Sequence, residues 1–351
     1  MKAEEKVPVP VLVPFQSKPF FEQYETFDIR AVFYRLRQES FLQKGLRKLG
    51  WRDAAQTLAA KFEIVQDEEL LGEVFALWLS PAIRLSASQM GYLLDRMPRL
   101  KWVYSQITGT DHLDLSVFGK RGVAVSNSGR LSSRRIAEMA LALILAHAKK
   151  LPDHFAMQRL HRWQALAGDE LYRQTVGIVG TGNIGNELAK LCRGIGMRVI
   201  GASRDPMKFA ADPAPYDEVV KLDSGLNSLL DQSDHVVLAL PLNAQTHELI
   251  DAGRLSRMKP SSSLINLARG ALVNENALCE ALSKGALGAA YIDLPRKFPP
   301  PFWSRLYQTP NLILTHNSAA KSSRLAEEAF HQFMSGVKTM IESGNPPDRV
   351  I

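Results

Sequence analysis

The sequence predicts an α/β protein: a doubly wound parallel sheet in its second half, preceded by a smaller α/β region. Three observations carry this reading. From Thr175 onward, short β-rich runs alternate with helical stretches, the pattern of a parallel sheet covered on both faces. A glycine-rich turn, Gly180-Thr181-Gly182-Asn183-Ile184-Gly185, stands between the first of those runs and a helix. Between Val7 and about Leu131, separate apolar runs are spaced by helical stretches in the same manner.

In the first half the strand candidates are Val9 to Phe15, Phe62 to Val65, Phe75 to Leu79, Trp102 to Tyr104 and Val123 to Val125. About 45 residues separate the first two, long for a single crossover, and two helices are expected there, with Gln38 to Lys61 strongly helical in composition. Ser132 to Lys150 reads as one long, hinge-spanning helix with Ser132 or Ser133 as its N-cap. Next come strand Thr175 to Val179, helix Ile184 to Cys192, strand Arg198 to Ala202, helix Leu226 to Asp231 and strand His235 to Leu240. Strand Ser263 to Asn266, helix Glu275 to Leu282 and strands Ala289 to Ile292 and Leu312 to Leu314 complete the alternation. The tail, Ser323 to Ile341, repeats Leu325, Ala329, Phe333, Val337 and Ile341 on one helical face, which could pack back on the first domain.

Composition narrows the function. With 351 residues, 46% apolar, and 43 Lys plus Arg against 36 Asp plus Glu for a net charge of +7, the chain holds one large or two ordinary domains and is too apolar for disorder. Its longest apolar run, Met139 to Ala146, is far short of the ~18 to 20 residues of a membrane span, so no membrane partner is expected. The charged start, Met1 to Lys6, lacks the apolar core of a secretion signal. Cys192 and Cys279 stand far apart in helical stretches and suit neither a disulfide framework nor a metal cluster. A cytoplasmic protein without a metal is expected. Arg35, Arg37, Lys44, Arg47, Lys48 and Arg52, interleaved with Phe33, Leu36, Phe41, Leu46 and Leu49 at helical spacing, read as a solvated helix face. An anionic partner is the alternative, but no zinc-finger spacing or RNA-recognition sequence accompanies it, so no nucleic acid is expected.

The glycine turn carries the strongest chemistry. After a strand and before a helix, Gly180 permits the tight turn, Gly182 lets a pyrophosphate approach the backbone, and Gly185 allows close packing of helix on strand. The helix N-terminus at Asn183 and Ile184 offers unpaired N–H groups to the anion. A nicotinamide dinucleotide is the expected cofactor. The second strand ends in Ser203-Arg204-Asp205 with Lys208 nearby. Ser203 and Arg204 suit a ribose 2′-phosphate, which favours NADP, while Asp205 keeps NAD open.

These residues, with others, resemble the D-isomer-specific 2-hydroxyacid dehydrogenases, and within them the NADPH-dependent glyoxylate/hydroxypyruvate reductase branch. The likeness runs from about Leu100 to Ala320. Its carriers are Gly109 to Asp114, Val125-Ser126-Asn127, Ile136-Ala137-Glu138, Thr175 to Gly185, Leu240-Pro241-Leu242 with Thr246, and Asn266 to Val273. The resemblance implies a Rossmann dinucleotide domain, residues 132–320, inserted in a smaller flavodoxin-like substrate domain, residues 1–131 plus 321–351, with the active site in the cleft. It implies a homodimer built through the nucleotide domain and a small, carboxylate-bearing substrate. It also implies cofactor contacts at Leu240, Pro241, Thr246, Leu267, Ala268 and Asp293, the last against the nicotinamide carboxamide or, alternatively, as a loop cap. Arg269 takes the place of the family arginine that holds a substrate carboxylate and polarises the adjacent carbonyl.

The pattern breaks at two places. The family glutamate lies five residues after the position of Asp293, where this chain has Phe298 followed by Pro299, and no Asp or Glu occurs between Asp293 and Ala326. Pro299-Pro300-Pro301 with Phe302 and Trp303 reads instead as a stiff apolar wall. The family histidine sits in Thr-Pro-His-x-Ala, where this chain has Thr315-His316-Asn317-Ser318-Ala319. Counted without gaps the position holds Asn317; with the proline deleted it holds His316, and both stay open. Without the carboxylate, a histidine there loses the electrostatic bias toward its protonated form. The expectation is a divergent NADP-dependent oxidoreductase lacking the usual Glu-His relay, with Tyr291, His112 and Lys149 as other candidate proton donors. The alternatives are a catalytically silent NADPH-binding protein, an ordinary glyoxylate/hydroxypyruvate reductase using His316 alone, and a lyase or isomerase that uses the nucleotide without net redox change.

Overall fold

The computed structural model of the protein describes residues 9–14, 29–34, 71–79, 85–106, 109, 113–209, 215–347 and 350–351. The helical reading of Gln38 to Lys61, the strand Phe62 to Val65, the basic residues Arg35 to Arg52, and His112 lie outside the described residues. The chain divides into two compact units, Met1–Leu131 with Ser323–Ile351, and Ser132–Ser322.

The first unit is built on a five-stranded sheet, β1 (Val9–Pro14), β2 (Ile29–Tyr34), β3 (Ala76–Leu79), β4 (Trp102–Ser105) and β5 (Ala124–Asn127). Its order is 2-1-3-4-5 and every pairing is parallel, the flavodoxin-like doubly wound order. β2 was not foreseen, and it takes Phe33 out of the helical face assigned to it: Val13 pairs with Phe33 in a parallel ladder. One face of this sheet carries Trp78, Trp102 and Tyr104 against the C-terminal helix Leu325–Ser343. Trp102 stacks on Phe333 with ring centroids 5.2 Å apart, and the Tyr104 hydroxyl donates to Gln332 Oε1 at 2.7 Å. The chain end closes the far edge, where Val350 N donates to Val125 O at 2.7 Å and Ser126 Oγ to Pro347 O at 2.6 Å.

The second unit holds seven parallel strands: β6 (Thr175–Val179), β7 (Arg198–Ser203), β8 (Glu218–Lys221), β9 (His235–Leu238), β10 (Ser263–Asn266), β11 (Ala289–Ile292) and β12 (Leu312–Leu314). Their order, 12-11-10-9-6-7-8, is the Rossmann order with one added strand, and direction reverses between β6 and β9, the switch point where such folds bind ligands. The five inner strands are buried along almost their whole length because helices cover both faces, whereas the edge strands β8 and β12 are half-buried. Asn183–Gly194 and Ser133–Ala148 form one layer with Leu188, Ala189, Ile136 and Ala140 in its core. Leu226–Gln232 and Glu275–Ser283 form the other, with Leu229, Leu230, Leu278 and Leu282.

Three expectations need correction. Ser132 occupies the N-cap position but with helical dihedrals and no side-chain cap bond; only its carbonyl serves, accepting Ile136 N at 3.0 Å. The long helix ends at Ala148, because Lys150 turns left-handed at φ 52°, and a separate helix, Leu151–Arg159, follows. β9 stops at Leu238, two residues early.

At the start of β9, His235 is buried between Ser263 Oγ (2.8 Å) and Gln174 Oε1 (2.9 Å), with His147 edge-on at 5.7 Å. Burial, with His147 adding to it, pushes the imidazole down to about 4. As pH falls, the unfolded chain takes up this proton near 6.5 and the folded chain only near 4, so the stability from the neutral ring is full above pH 6.5 and lost between those values. That amounts to about 3 kcal/mol. Urea unfolding at pH about 7.5 and about 4.5 should show His235→Gln losing about 2 kcal/mol less than wild type between the two; equal losses would contradict this.

Candidate functional site

The parallel register sets the site. Val220, Ala202, Val179, Leu238, Asn266, Ile292 and Leu314 pair in one continuous row across all seven strands. Every residue expected to bind cofactor or substrate, except Thr246, comes shortly after this row. Ser203 and Arg204 follow Ala202, the glycine turn follows Val179, and Leu240-Pro241 follow Leu238. Leu267 to Arg269 follow Asn266, Asp293 follows Ile292, and His316-Asn317 follow Leu314. With strands about 4.8 Å apart, the line from Ser203 to His316 crosses five spacings, about 24 Å, along one edge of the sheet.

At the glycine turn, Gly180 has φ 111°, and a side chain there would meet Ala239 O at 2.5 Å. A Cβ on Gly185 would lie 2.1 Å from Gly180 O, so helix and turn approach too closely for one. Gly182 differs: its φ is −83° and, among the described residues, nothing lies within 4 Å of a Cβ built on it. Nothing among the described residues requires glycine there, whereas a phosphate brought against the backbone does. Gly182 and Asn183 are exposed at the start of Asn183–Gly194, so residues and space fit a dinucleotide's pyrophosphate. Ser203 is half-buried, its hydroxyl shared with the Asp205 backbone, while Arg204 and Lys208 are exposed. The Thr246 hydroxyl is buried and turned inward, donating to Pro241 O and accepting from Asn243 N, both at 2.8 Å. It therefore shapes the Leu240-Pro241-Leu242 loop from beneath.

Arg269 is half-buried in extended backbone, set by Asn266, whose amide donates to Arg269 O at 2.9 Å and accepts from Ala268 N at 3.1 Å. Its Nη1 donates to Ala268 O at 3.0 Å. A Cβ on Gly270 would lie 2.1 Å from Arg296 N, so the Arg269 loop and the loop after β11 are locked backbone to backbone.

Asp293 is 3% exposed. Its Oδ1 accepts Thr315 Oγ1 at 2.5 Å, Ser318 N at 2.8 Å and Ala319 N at 3.3 Å, and its carbonyl accepts Asn317 N at 2.8 Å. These bonds hold His316 and Asn317 at φ 56° and 57°, left-handed backbone that β-carbon residues adopt only when their surroundings impose it. The loop-cap alternative for Asp293 is thus what its hydrogen bonds describe. The His316 imidazole is exposed and, among the described residues, has no hydrogen-bond or ion-pair partner; Asn317 is half-buried.

Two acids invisible to sequence reasoning reach this edge from other loops. Glu248 Oε1 pairs with Arg296 Nη1 at 2.8 Å, and Glu275 Oε1 accepts Arg296 N at 2.6 Å. Both are taken up by Arg296. Two expected proton donors are displaced. Tyr291 lies in the core and burial pushes its phenol up to about 12. Lys149 ends the helix whose His147 bonds Ser261 O at 3.0 Å, just before β10, hence at the opposite edge of the sheet. Among the described residues no group of acids, histidines and cysteines could hold a metal, and no helix is long and apolar enough to cross a membrane.

Residues 141–318 match the family model for the NAD binding domain of D-isomer specific 2-hydroxyacid dehydrogenases. The chain is 32% identical over 233 residues to a glyoxylate reductase of Thermococcus gammatolerans, covering 64% of this chain and 68% of that protein. It is 33% identical over 234 residues to glyoxylate/hydroxypyruvate reductase B of Pectobacterium atrosepticum, covering 65% and 72%. A solved D-isomer specific 2-hydroxyacid dehydrogenase family protein of Aeromonas salmonicida superposes with TM-score 0.76 at 25% identity, over 98% of this chain and 99% of that one.

Replacing Gly185 with valine forces atoms into the 2.1 Å gap to Gly180 O. Isothermal titration should show at least a tenfold loss of dinucleotide affinity; unchanged affinity would refute the reading of the turn.

Proposed function

Because this chain belongs to the D-isomer specific 2-hydroxyacid dehydrogenase family and is an NAD(P)-dependent oxidoreductase of hydroxy acids, we propose that it reduces 2-oxo acids with NADPH, without a glutamate-histidine relay. The carrying observation is the shared edge. The glycine turn, Arg269 and the turn holding His316 and Asn317 all leave one paired row of parallel strands. When bound, the nicotinamide dinucleotide supplies the hydride.

The chain's own residues do the rest. Gly182 and the N-terminus of Asn183–Gly194 receive the pyrophosphate. Ser203 and the exposed Arg204 bind the 2′-phosphate, the guanidinium giving charge-assisted bonds that a bare 2′-hydroxyl would not reward. Leu240, Pro241, Leu267 and Ala268 form the apolar bed of the nucleotide, and Thr246 holds its loop in shape. Arg269 grips the substrate carboxylate and polarises the neighbouring carbonyl. His316, exposed and unpaired among the described residues, delivers the proton, with Asn317 beside it as a neutral donor. No carboxylate follows Asp293 before Glu327, and Asp293 is engaged in holding the turn. This supports proton delivery without a carboxylate partner.

The chain acts as a homodimer joined through its nucleotide-binding unit. Leu151–Arg159 buries none of its residues, and Phe155, Leu160 and Trp163 stand exposed on and after it. Three large apolar side chains left in solvent on one short segment fit a surface that a second copy covers.

Fluorescence titration should give NADPH at least tenfold tighter binding than NADH, and Arg204→Ala should erase most of that gap. With glyoxylate, hydroxypyruvate and larger 2-oxo acids, Arg269→Ala should lower kcat/KM by at least a hundredfold while cofactor affinity holds. His316→Ala should lower kcat more than Asn317→Ala. NADPH binding without oxidation by any 2-oxo acid would instead favour the silent nucleotide-binding reading. Sedimentation should find a dimer that Trp163→Glu weakens; a wild-type monomer would contradict the assembly.

A further inference from the structure

We propose that the loop after β11 adapts this site to 2-oxo acids carrying a large aromatic side chain, with Phe298 forming part of the surface on which that side chain lies; this rests on the reductase reading above.

The loop is built rather than loose. At its start, Pro295 and Arg296 press on Gly270, and Arg296 is held through its backbone by Glu275 and through its guanidinium by Glu248. At its end, Leu306 is buried and Ser304 closes a turn, its N–H donating to Pro301 O at 2.8 Å. Between them, Pro299, Pro300 and Pro301 restrict the backbone further. A surface ordered in advance loses little entropy when something binds to it.

What this fixed loop presents is apolar. Phe298 is 49%, Phe302 85% and Trp303 67% exposed, and the last two meet edge-to-face at 4.6 Å. Aromatic rings whose task is packing are buried; here a braced loop holds them outward beside a proposed catalytic edge.

Position and charge identify the occupant. The loop's backbone abuts Gly270, the neighbour of Arg269, so an acid whose carboxylate is held at Arg269 directs its remaining atoms near this loop. From residue 294 to 326 there is no Asp or Glu; Arg296 is neutralised by Glu248, which leaves Lys297 and Arg305 as the loop's cations. An aromatic loop with these two cations, and with Glu248 and Glu275 already engaged by Arg296, suits an anion with an apolar body. A carboxylate at position 298 would have to be desolvated by an incoming aromatic ring, at considerable cost. Phenylalanine removes that cost and adds apolar contact. For glyoxylate, which has no side chain, the surface offers nothing. The reaction balances as one 2-oxo acid, one reduced dinucleotide and one proton giving one 2-hydroxy acid and one oxidised dinucleotide, the proton ending on the former carbonyl oxygen.

The test compares phenylpyruvate with glyoxylate as substrates under NADPH, and measures calorimetric binding of phenyllactate to the NADP-loaded protein, for wild type, Phe298→Leu, Phe298→Ala and Phe298→Glu. Wild type should favour phenylpyruvate by at least tenfold in kcat/KM, in line with the 10- to 200-fold that even one methylene can confer in an apolar site. Phe298→Ala and Phe298→Glu should each cut that ratio and the phenyllactate affinity about tenfold, with Phe298→Leu between. All four should share one thermal midpoint, since the side chain is half-exposed. A wild-type preference for glyoxylate, or a ratio indifferent to residue 298, would overturn the aromatic site and leave the reductase reading intact. If no 2-oxo acid is reduced, phenyllactate binding that weakens in Phe298→Ala would keep the aromatic site and reject only the reductase reading. Absence of binding would reject both.

Discussion

The carboxylate of Asp293 is the interaction on which the arrangement of this edge depends. Taking a carboxyl group out of water is costly unless its oxygens are well supplied with donors, and here a hydroxyl and two amides supply them. In exchange, two consecutive side-chain-bearing residues, His316 and Asn317, stay in left-handed backbone that costs each about 1 to 2 kcal/mol. The strain and the hydrogen bonds are one device. It draws the chain leaving β12 back across the end of β11 and brings residues 315 to 319 onto the strand that also launches the aromatic loop.

Around this point the parallel sheet does the rest. Because all seven strands run the same way and one row of residues is paired across them, each chain segment leaves the sheet at the same edge. Chemistry-bearing residues separated by more than a hundred positions thereby become neighbours in a line. Three contacts then fix the loops among themselves: the Gly270 approach to Arg296, the Glu248 and Glu275 bonds to Arg296, and the Thr246 hydroxyl under Pro241. None is catalytic in itself. Together they remove freedom that would otherwise have to be lost when substrate binds.

How much of this was legible depended on whether the determinant was local. Thr175–Val179, Ser263–Asn266, Ala289–Ile292 and Leu312–Leu314 are strands at the boundaries the sequence indicates, each a short apolar run before a turn. The glycine turn was legible because it depends on its own backbone. β8, Glu218–Lys221, was missed, since an edge strand with a charged residue at each end carries almost no periodic signal. β2 was hidden by apolar residues that also fit a helical repeat. Tyr291 was misjudged because sequence does not say that its ring enters the core, and Lys149 because sequence does not say which edge of the sheet ends a helix. The Asp293 and Arg296 networks join residues 21 to 48 positions apart and could not be read before the strands were in register.

If Asp293 holds the turn as described, the amides of Asn317, Ser318 and Ala319 are hydrogen-bonded to it in solution. Amide exchange by NMR near neutral pH measures this directly. These three amides should be protected comparably to the paired amides of β11, although they lie in no helix or strand. Exchange at the rate of an unstructured chain would contradict it, and with it the fixed placement of His316 and Asn317.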